Sequence, residues 1–454
     1  MSAPTLVHAR AGGDDDAHAA EAALVRRLRD TVGERLAEAN RVAERVTGAP
    51  LSALERAATV DRLVAETLDE HANASLAAAM PLLAPQVESR IGQAVRDRLL
   101  GLGGLEPLLN NPNIEDIKAN GCDNVHVTYA DGTRAQVPAF CDSDDDLIAL
   151  IRMVAARSGN EERRFDRGSP MVSCMLPDGS RLFATMAVSP RPTLTIRRHR
   201  YTRVTLPELA AMGLFCQAQA EFLAAAVRAR LNIMIAGAMG VGKTTLLRGL
   251  TSAIPAWERI ITVEDIAELR LQDDPGHPDT IALQAREANL EGEGEVSLDA
   301  LIRAAMRMTP DRVIVGEIRG GRELLAAMNA MSLGTDGSMT TIHAASSKGV
   351  FGKLVNFAAQ STERLDAPAT HAMAADALDL VVHLGRDHDR ARVLTSVREV
   401  VGFDGTQVVT NELYRPGPDR RAVPGAPPSE ELLDRLIEAG LDPSWNHQHG
   451  GWTR

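Results

Sequence analysis

The chain is poor in cysteine, in net basic charge and in long apolar runs, and each shortage excludes something. Cys122, Cys141, Cys174 and Cys216 are the only four cysteines among 454 residues. They are widely spaced and form no CxxC pair, so neither a zinc site nor a disulfide framework is indicated, and reduced thiols are expected. The formal net charge is −12. Tight sequence-independent nucleic-acid binding needs clustered Lys and Arg to displace counterions, so no nucleic-acid partner is expected. No stretch approaches the roughly 20 consecutive apolar residues of a membrane span. The opening MSAPTLVHARAGGDDDAHAA carries acids where a secretory signal needs an apolar segment, so the reading is a cytoplasmic chain without a membrane span. What is abundant is ordinary globular material: 44% hydrophobic residues, enough for two or three domains with real cores.

The chain changes character along its length. From Asp14 to Leu100 it is rich in Ala, Leu, Glu and Arg, with apolar residues at helical spacing in AALVRRLRDTVGERLAEANRVAERV. Residues 1–100 are therefore read as an N-terminal extension of two or three amphipathic helices, a packing or oligomer-contact module. Residues 101–201 mix short alternating runs such as VHVTYADGTRAQV, with Asp131 and Gly132 marking a hairpin turn, and fit a small α/β domain. Thr202 to Leu206 reads as a linker to a second domain over 206–414. Beyond Leu378, LDLVVHL, RVLTSVREVVGF and TQVVTNELY read as strands extending that domain's sheet, with turns at Arg386 to Asp389 and Asp404 to Gly405. The remainder, 415–454, reads as a flexible Pro/Arg/Gly-rich loop to Pro428 and a helix from Ser429 to Ala439.

The chemistry concentrates in the second domain. GAMGVGKT at 237–244 matches G-x-x-x-x-G-K-[ST] at every fixed position, after an apolar run of strand length, Leu231 to Ala236, and before residues that can begin a helix. Glycines let backbone amides converge on phosphate oxygens, and the helix N-terminus adds its positive end. The nucleotide-binding set is Gly237, Gly240, Val241, Gly242, Lys243, Thr244 and Thr245. In it Lys243 is expected to reach the β- and γ-phosphates of ATP and Thr244 to hold Mg²⁺.

A cradle alone does not make a hydrolase. DRVIVGEIRG gives an apolar strand, Val313 to Val315, ending in Gly316 and Glu317 and followed by Arg319. Gly316 stands where many such proteins carry a strand-terminal Asp, and Glu317 is placed to orient an attacking water. ITVEDIAELRL repeats the logic: strand Ile261 to Val263 ends in Glu264 and Asp265, where ligand sites of open α/β sheets lie. Asp265 alternatively reads as a helix cap.

The order of GAMGVGKTT, VEDIAELRL, TPDRVIVGEIRG and GSMTTIHA resembles the secretion ATPase superfamily of type II and type IV secretion. GLGGLEPLLNNPNIEDIKANG, PMVSCMLPDGSRLFATM and LTIRRHRY resemble the N-terminal domain of its CpaF branch, the ATPases of tight-adherence (Tad) pili. The resemblance covers about Gly101 to Tyr414, and the four-cysteine insertion common in the type II branch is missing. It implies a RecA-like P-loop ATPase domain with a smaller mixed α/β N-terminal domain and a helical N-terminal extension. It further implies a homo-oligomeric ring of six, working on platform proteins at the inner face of the cytoplasmic membrane with ATP and Mg²⁺. By the same resemblance Glu317 is the catalytic glutamate, Glu264, Asp265 and Glu268 form an acidic box, and His343 senses nucleotide. Arg181 and Arg197 match arginines that reach the γ-phosphate. Where the family usually has His, Asn and Arg, this chain has Thr335, Ala345 and Lys353. These departures put the rate of hydrolysis and its coupling between subunits in question.

Overall fold

The computed structural model describes residues 14–47, 51, 53–100, 102–157, 164–176, 178–198, 203–286 and 293–445. The chain divides into two compact units, residues 1–200 and 201–454.

In the first unit, helices α1 (Asp14–Thr47), α2 (Ala53–Ala77) and α3 (Pro85–Leu100) account for the N-terminal pattern. Val25, Leu28, Val32 and Leu36 fall on one face of α1 and pack with Val60, Leu63 and Val64 of α2 and Ile91 and Val95 of α3. After the short α4 (Glu106–Leu109) come β1 (Ile114–Asn120), β2 (Val125–Tyr129), β3 (Arg134–Val137), α5 (Asp144–Arg157), β4 (Met171–Met175), β5 (Arg181–Thr185) and β6 (Thr193–Arg197). The six strands form one sheet in the order β3-β2-β1-β6-β5-β4, antiparallel throughout. The predicted turn at Asp131 closes on its own carboxylate, which accepts from the Thr133 amide at 2.8 Å, while Gly132 takes φ +85°. Alternate residues of the sheet, among them Ile117, Val127, Leu182 and Ile196, bury one face against Leu147, Ile151 and Val154 of α5.

The second unit opens with α6 (Leu206–Ala211), so Leu206 belongs to a helix rather than to a linker. Thr205 caps it reciprocally with Glu208. Then follow α7 (Gln217–Arg228), β7 (Ile233–Gly237), α8 (Lys243–Thr251), β8 (Ile260–Glu264), β9 (Thr280–Gln284), α9 (Leu298–Ala305), β10 (Arg312–Ile318) and α10 (Gly321–Ser332). The unit continues with β11 (Met339–Ile342), α11 (Gly349–Gln360), α12 (Ala367–Ala377), β12 (Leu380–Arg386), β13 (Arg392–Phe403), β14 (Val408–Pro416), β15 (Ala422–Pro424) and α13 (Glu430–Glu438).

Nine strands run in the order β15-β14-β13-β12-β7-β11-β10-β8-β9. From β12 to β9 neighbours are parallel, and the rest are antiparallel additions. Both faces of β7, β8 and β10 are covered, which is why these strands read as apolar runs. Ile233 and Ile235 face the layer of α6, α7, α8 and α13, while Met234 and Ala236 face α9 to α12. This is the RecA-like α/β fold. The stretch expected to be a flexible loop from Arg415 is ordered in part: β14 runs on to Pro416 and β15 pairs back on it. The segment beyond is held by burial, since Leu432, Leu436, Leu441 and Trp445 join the core cluster of α7, and the Trp445 ring stacks on Phe222 at 5.5 Å.

Candidate functional site

The C-terminal ends of β7, β11, β10 and β8 meet along one edge of the parallel sheet, and the sequence-predicted residues of the second unit collect there. The loop from Gly237 to Gly242 turns through three positive-φ glycines: Gly237 at +154°, Gly240 at +73° and Gly242 at +97°. A Cβ on Gly237 would stand 2.6 Å from the Leu384 carbonyl oxygen, so a side chain has no room there. Gly242 is the N-cap of α8, a left-handed position that suits only glycine at low cost. Val241 is buried, and Thr244 and Thr245 are half-buried in the helix's first turn. Lys243 is buried, and its Nζ donates to the carbonyls of Gly237 and Ala238, both at 3.3 Å.

Three further groups close on that lysine. Its Nζ lies 3.1 Å from His343 Nδ1 and 3.8 Å from Glu317 Oε1, and His343 Nε2 meets the same Glu317 oxygen at 2.9 Å. The other Glu317 oxygen accepts from Arg319 Nε at 2.7 Å, and Arg319 Nη1 goes on to Asp265 at 2.6 Å. Burial holds the His343 ring below its ordinary range despite Glu317 beside it, and the ring stands between Lys243, whose Nζ is also 3.4 Å from Nε2, and Glu317. Glu317 lies within β10, which runs on past Val315 to Ile318 with an irregularity in its pairing to β11 between those two residues.

The acidic box is divided in its roles. Glu264 is buried and turned away from the cradle: its carboxylate accepts from the amides of Glu268 and Leu269, both at 3.1 Å. Burial pushes its pKa up to about 8. The Glu264 side chain also explains Gly316, since a Cβ there would come within 3.0 Å of Glu264 Cγ. A strand-terminal Asp at 316 would need the Glu264 side chain to shift. The helix-cap reading of Asp265 fails, because the next regular element is a single 3₁₀ turn at Leu271–Asp273, and Asp265 pairs with Arg319 instead. Glu268 is half-buried on the loop between. Sequence reasoning missed Arg248, a buried residue of α8 that donates to the carbonyls of Glu268 at 2.5 Å and Leu269 at 3.4 Å. An arginine within an amphipathic helix gives no sign of this.

Arg181 and Arg197 lie in the first unit as direct cross-strand partners, with Asp116 opposite Arg197 on the other side. The departures from the family pattern fall elsewhere in the second unit. Thr335 is buried near the other end of β11, donating to the Ala330 carbonyl at 2.6 Å. The Lys353 ammonium sits 4.5 Å from the Phe357 ring centre, and Ala345 is exposed. Among the described residues, no group of three or more His, Cys, Asp or Glu is arranged to hold a metal by itself.

Comparison with known proteins identifies the family. Residues 99–415 match the family described as type II/IV secretion system protein. A Mycobacterium tuberculosis protein named for conjugal transfer is 35% identical over 329 residues, 70% of this chain and 90% of the relative. The type IV secretion system protein VirB11 of Brucella suis is 28% identical over 310 residues, 62% of this chain and 83% of the relative. The crystal structure of the VirB11 ATPase of the Brucella suis type IV secretion system, in complex with sulphate, aligns over 65% of this chain and 92% of that one, with 28% identity and a TM-score of 0.35.

Proposed function

Because this chain belongs to the type II/IV secretion system protein family, we propose that it is an oligomeric motor ATPase. In this reading it hydrolyses ATP to drive assembly or retraction of a Tad or type IV-like pilus, or of related secretion machinery, at the inner face of the cytoplasmic membrane. The observation that carries the proposal is the closed contact of Lys243, His343 and Glu317 at the mouth of the glycine loop. An ammonium, an imidazole and a carboxylate sit within hydrogen-bond reach of one point, where a terminal phosphate and its attacking water would lie.

Bound phosphates would draw the Lys243 ammonium away from the Gly237 and Ala238 carbonyls and from Glu317, freeing that carboxylate to orient water. Arg319 and His343 would keep its two oxygens in place. Mg²⁺ fits the Thr244 hydroxyl together with the nucleotide's own phosphate oxygens, as this ion commonly binds, and it would neutralise charge on the β- and γ-oxygens. The same proposal gives Arg181 and Arg197 to the terminal phosphate, and a ring of six copies to the assembly. Among the described residues no helix is long and apolar enough to cross a membrane, so placement at the membrane would come through platform proteins.

A conjugation-type secretion motor is a second reading, favoured by the relative named for conjugal transfer and by VirB11. Neighbouring genes for pilins or for a conjugation channel separate the two. A nucleotide-gated protein with weak hydrolysis is a third reading, motivated by Thr335, Ala345 and Lys353. Phosphate release by the purified full chain with Mg²⁺ and ATP tests the activity itself. Turnover that vanishes in Lys243→Ala, with nucleotide binding lost as well, is the expected result. Retained ATP affinity in that variant would mean the loop is not the nucleotide site.

A further inference from the structure

The β12–β13 hairpin runs along the outside of the phosphate loop. Arg386 and Arg392 are direct cross-strand partners at its end. Both donate to one acceptor, the carbonyl of Gly240: Arg386 Nη2 at 3.2 Å and Arg392 Nε at 3.1 Å. The Cδ of Arg392 lies 3.8 Å from where a Cβ of Gly242 would stand, so the side chain follows the loop toward α8. The turn carrying the two arginines is braced. The Asp387 carboxylate accepts from the Asp389 amide at 3.0 Å, the Ala391 amide at 2.8 Å and Arg421 at 2.9 Å, and His388 Nε2 meets the Pro418 carbonyl at 3.0 Å. Arg421 in turn donates to the Gly213 carbonyl at 2.9 Å. Like charges directly opposed on a ladder are unfavourable, so this placement serves something other than strand pairing.

A phosphate cradle works by turning successive amides inward. In a trans peptide the carbonyl points opposite to the N–H of the next residue, so every inward amide leaves an outward carbonyl that needs a donor. At Gly240 that donor is supplied twice. We propose that Arg386 and Arg392 are positioning residues of the phosphate site: by holding the Gly240 carbonyl outward they fix the Gly240–Val241 peptide so that the Val241 amide faces a bound phosphate. The ligand class is a polyphosphate, whatever base it carries. The proposal rests on the ATP-site reading above.

The test uses the full chain with Arg386→Ala, Arg392→Ala, both together, and both replaced by Lys. Affinities for ATP and for inorganic pyrophosphate are measured by calorimetry, with kcat and KM for ATP and the unfolding midpoint with and without pyrophosphate. The double alanine variant is expected to lose about tenfold in affinity for both ligands, the size of one charge-assisted hydrogen bond, and to raise KM more than it lowers kcat. The lysines should recover only part of this, because a point charge lacks the planar fork. Pyrophosphate affinity equal to wild type overturns the proposal while leaving the ATP reading intact, as does a loss confined to ATP. A lower midpoint with undiminished stabilisation by pyrophosphate reduces the arginines to a structural brace and also overturns it. If the double variant does not fold, the single variants decide by the same criteria. Wild-type protein that binds neither ligand defeats the ATP reading first and this proposal with it.

Discussion

Strand β10 ends in charge at both extremities, and the two ends are built differently. At its start Arg312 is fully buried, donating to Glu258 at 2.6 and 2.9 Å, while Arg230 reaches the same carboxylate at 3.0 Å. Further hydrogen bonds run from Arg312 to the carbonyls of Val227 and Gly337. At its other end Glu317 keeps 19% of its side chain exposed and is held by Lys243, His343 and Arg319. The first cluster is saturated by its own fold and has nothing left for a ligand. The second is satisfied by groups that a phosphate would compete for. Charge at a strand end therefore marks chemistry only where solvent and a cradle adjoin it. Thr335, which departs from the family pattern, lies toward the saturated end of the sheet.

The contrast predicts that substitutions at the two ends separate rate from stability. The largest effect is expected from the proposed γ-phosphate arginines. Arg197→Ala should slow hydrolysis by roughly 10³-fold or more at saturating ATP, with the unfolding midpoint unchanged, and Arg197→Lys should rescue little. A turnover rate per subunit equal to wild type would remove that residue from the site. Glu258→Ala should do the reverse. Leaving Arg312 buried without its carboxylate should cost about 3–5 kcal/mol in denaturant unfolding, while the protein that remains folded hydrolyses ATP at the wild-type rate. The smallest effect at low pH is expected at Glu264, whose carboxyl burial holds in the neutral form. Below about pH 4.5, Glu264→Gln should stay within about 1 kcal/mol of wild type, since the amide oxygen can still accept from Glu268 and Leu269. The folded pKa of about 8 lies above the ordinary 4.5, so the glutamate's stabilisation is full below about 4.5 and is lost as pH rises through 8. The variant's unfolding midpoint should therefore gain on wild type between pH 5 and pH 8.5, and a constant offset would count against the burial argument.

Much of this was legible in the residues. The glycine loop, the strand before it and Glu317 follow from spacing and composition, because a phosphate cradle tolerates little variation in backbone. β7, β8 and β10 announced themselves as apolar runs, since both of their faces are covered, whereas half-buried β9, with Thr and Gln at its ends, did not. Other features were not legible, for a common physical reason: they depend on which way a side chain turns across a long sequence separation. VEDIAEL does not reveal that Glu264 bends back onto the amides of 268 and 269, or that its side chain crowds Gly316. RDHDRAR reads only as a charged turn, and nothing in it points to a carbonyl 146 residues earlier. Glycine and glutamate interrupt the apolar run of β10 after Val315, although pairing resumes at Ile318 opposite Ile342.

The central claim is that Glu317 belongs to the water side of the site and the glycine loop to the phosphate side. Glu317→Gln keeps the shape of the side chain and removes its charge. Measured on one preparation, ATP affinity by calorimetry and phosphate release under single-turnover conditions should part company: affinity close to wild type, hydrolysis abolished. An equal loss of binding and turnover, or turnover that survives, would contradict the account.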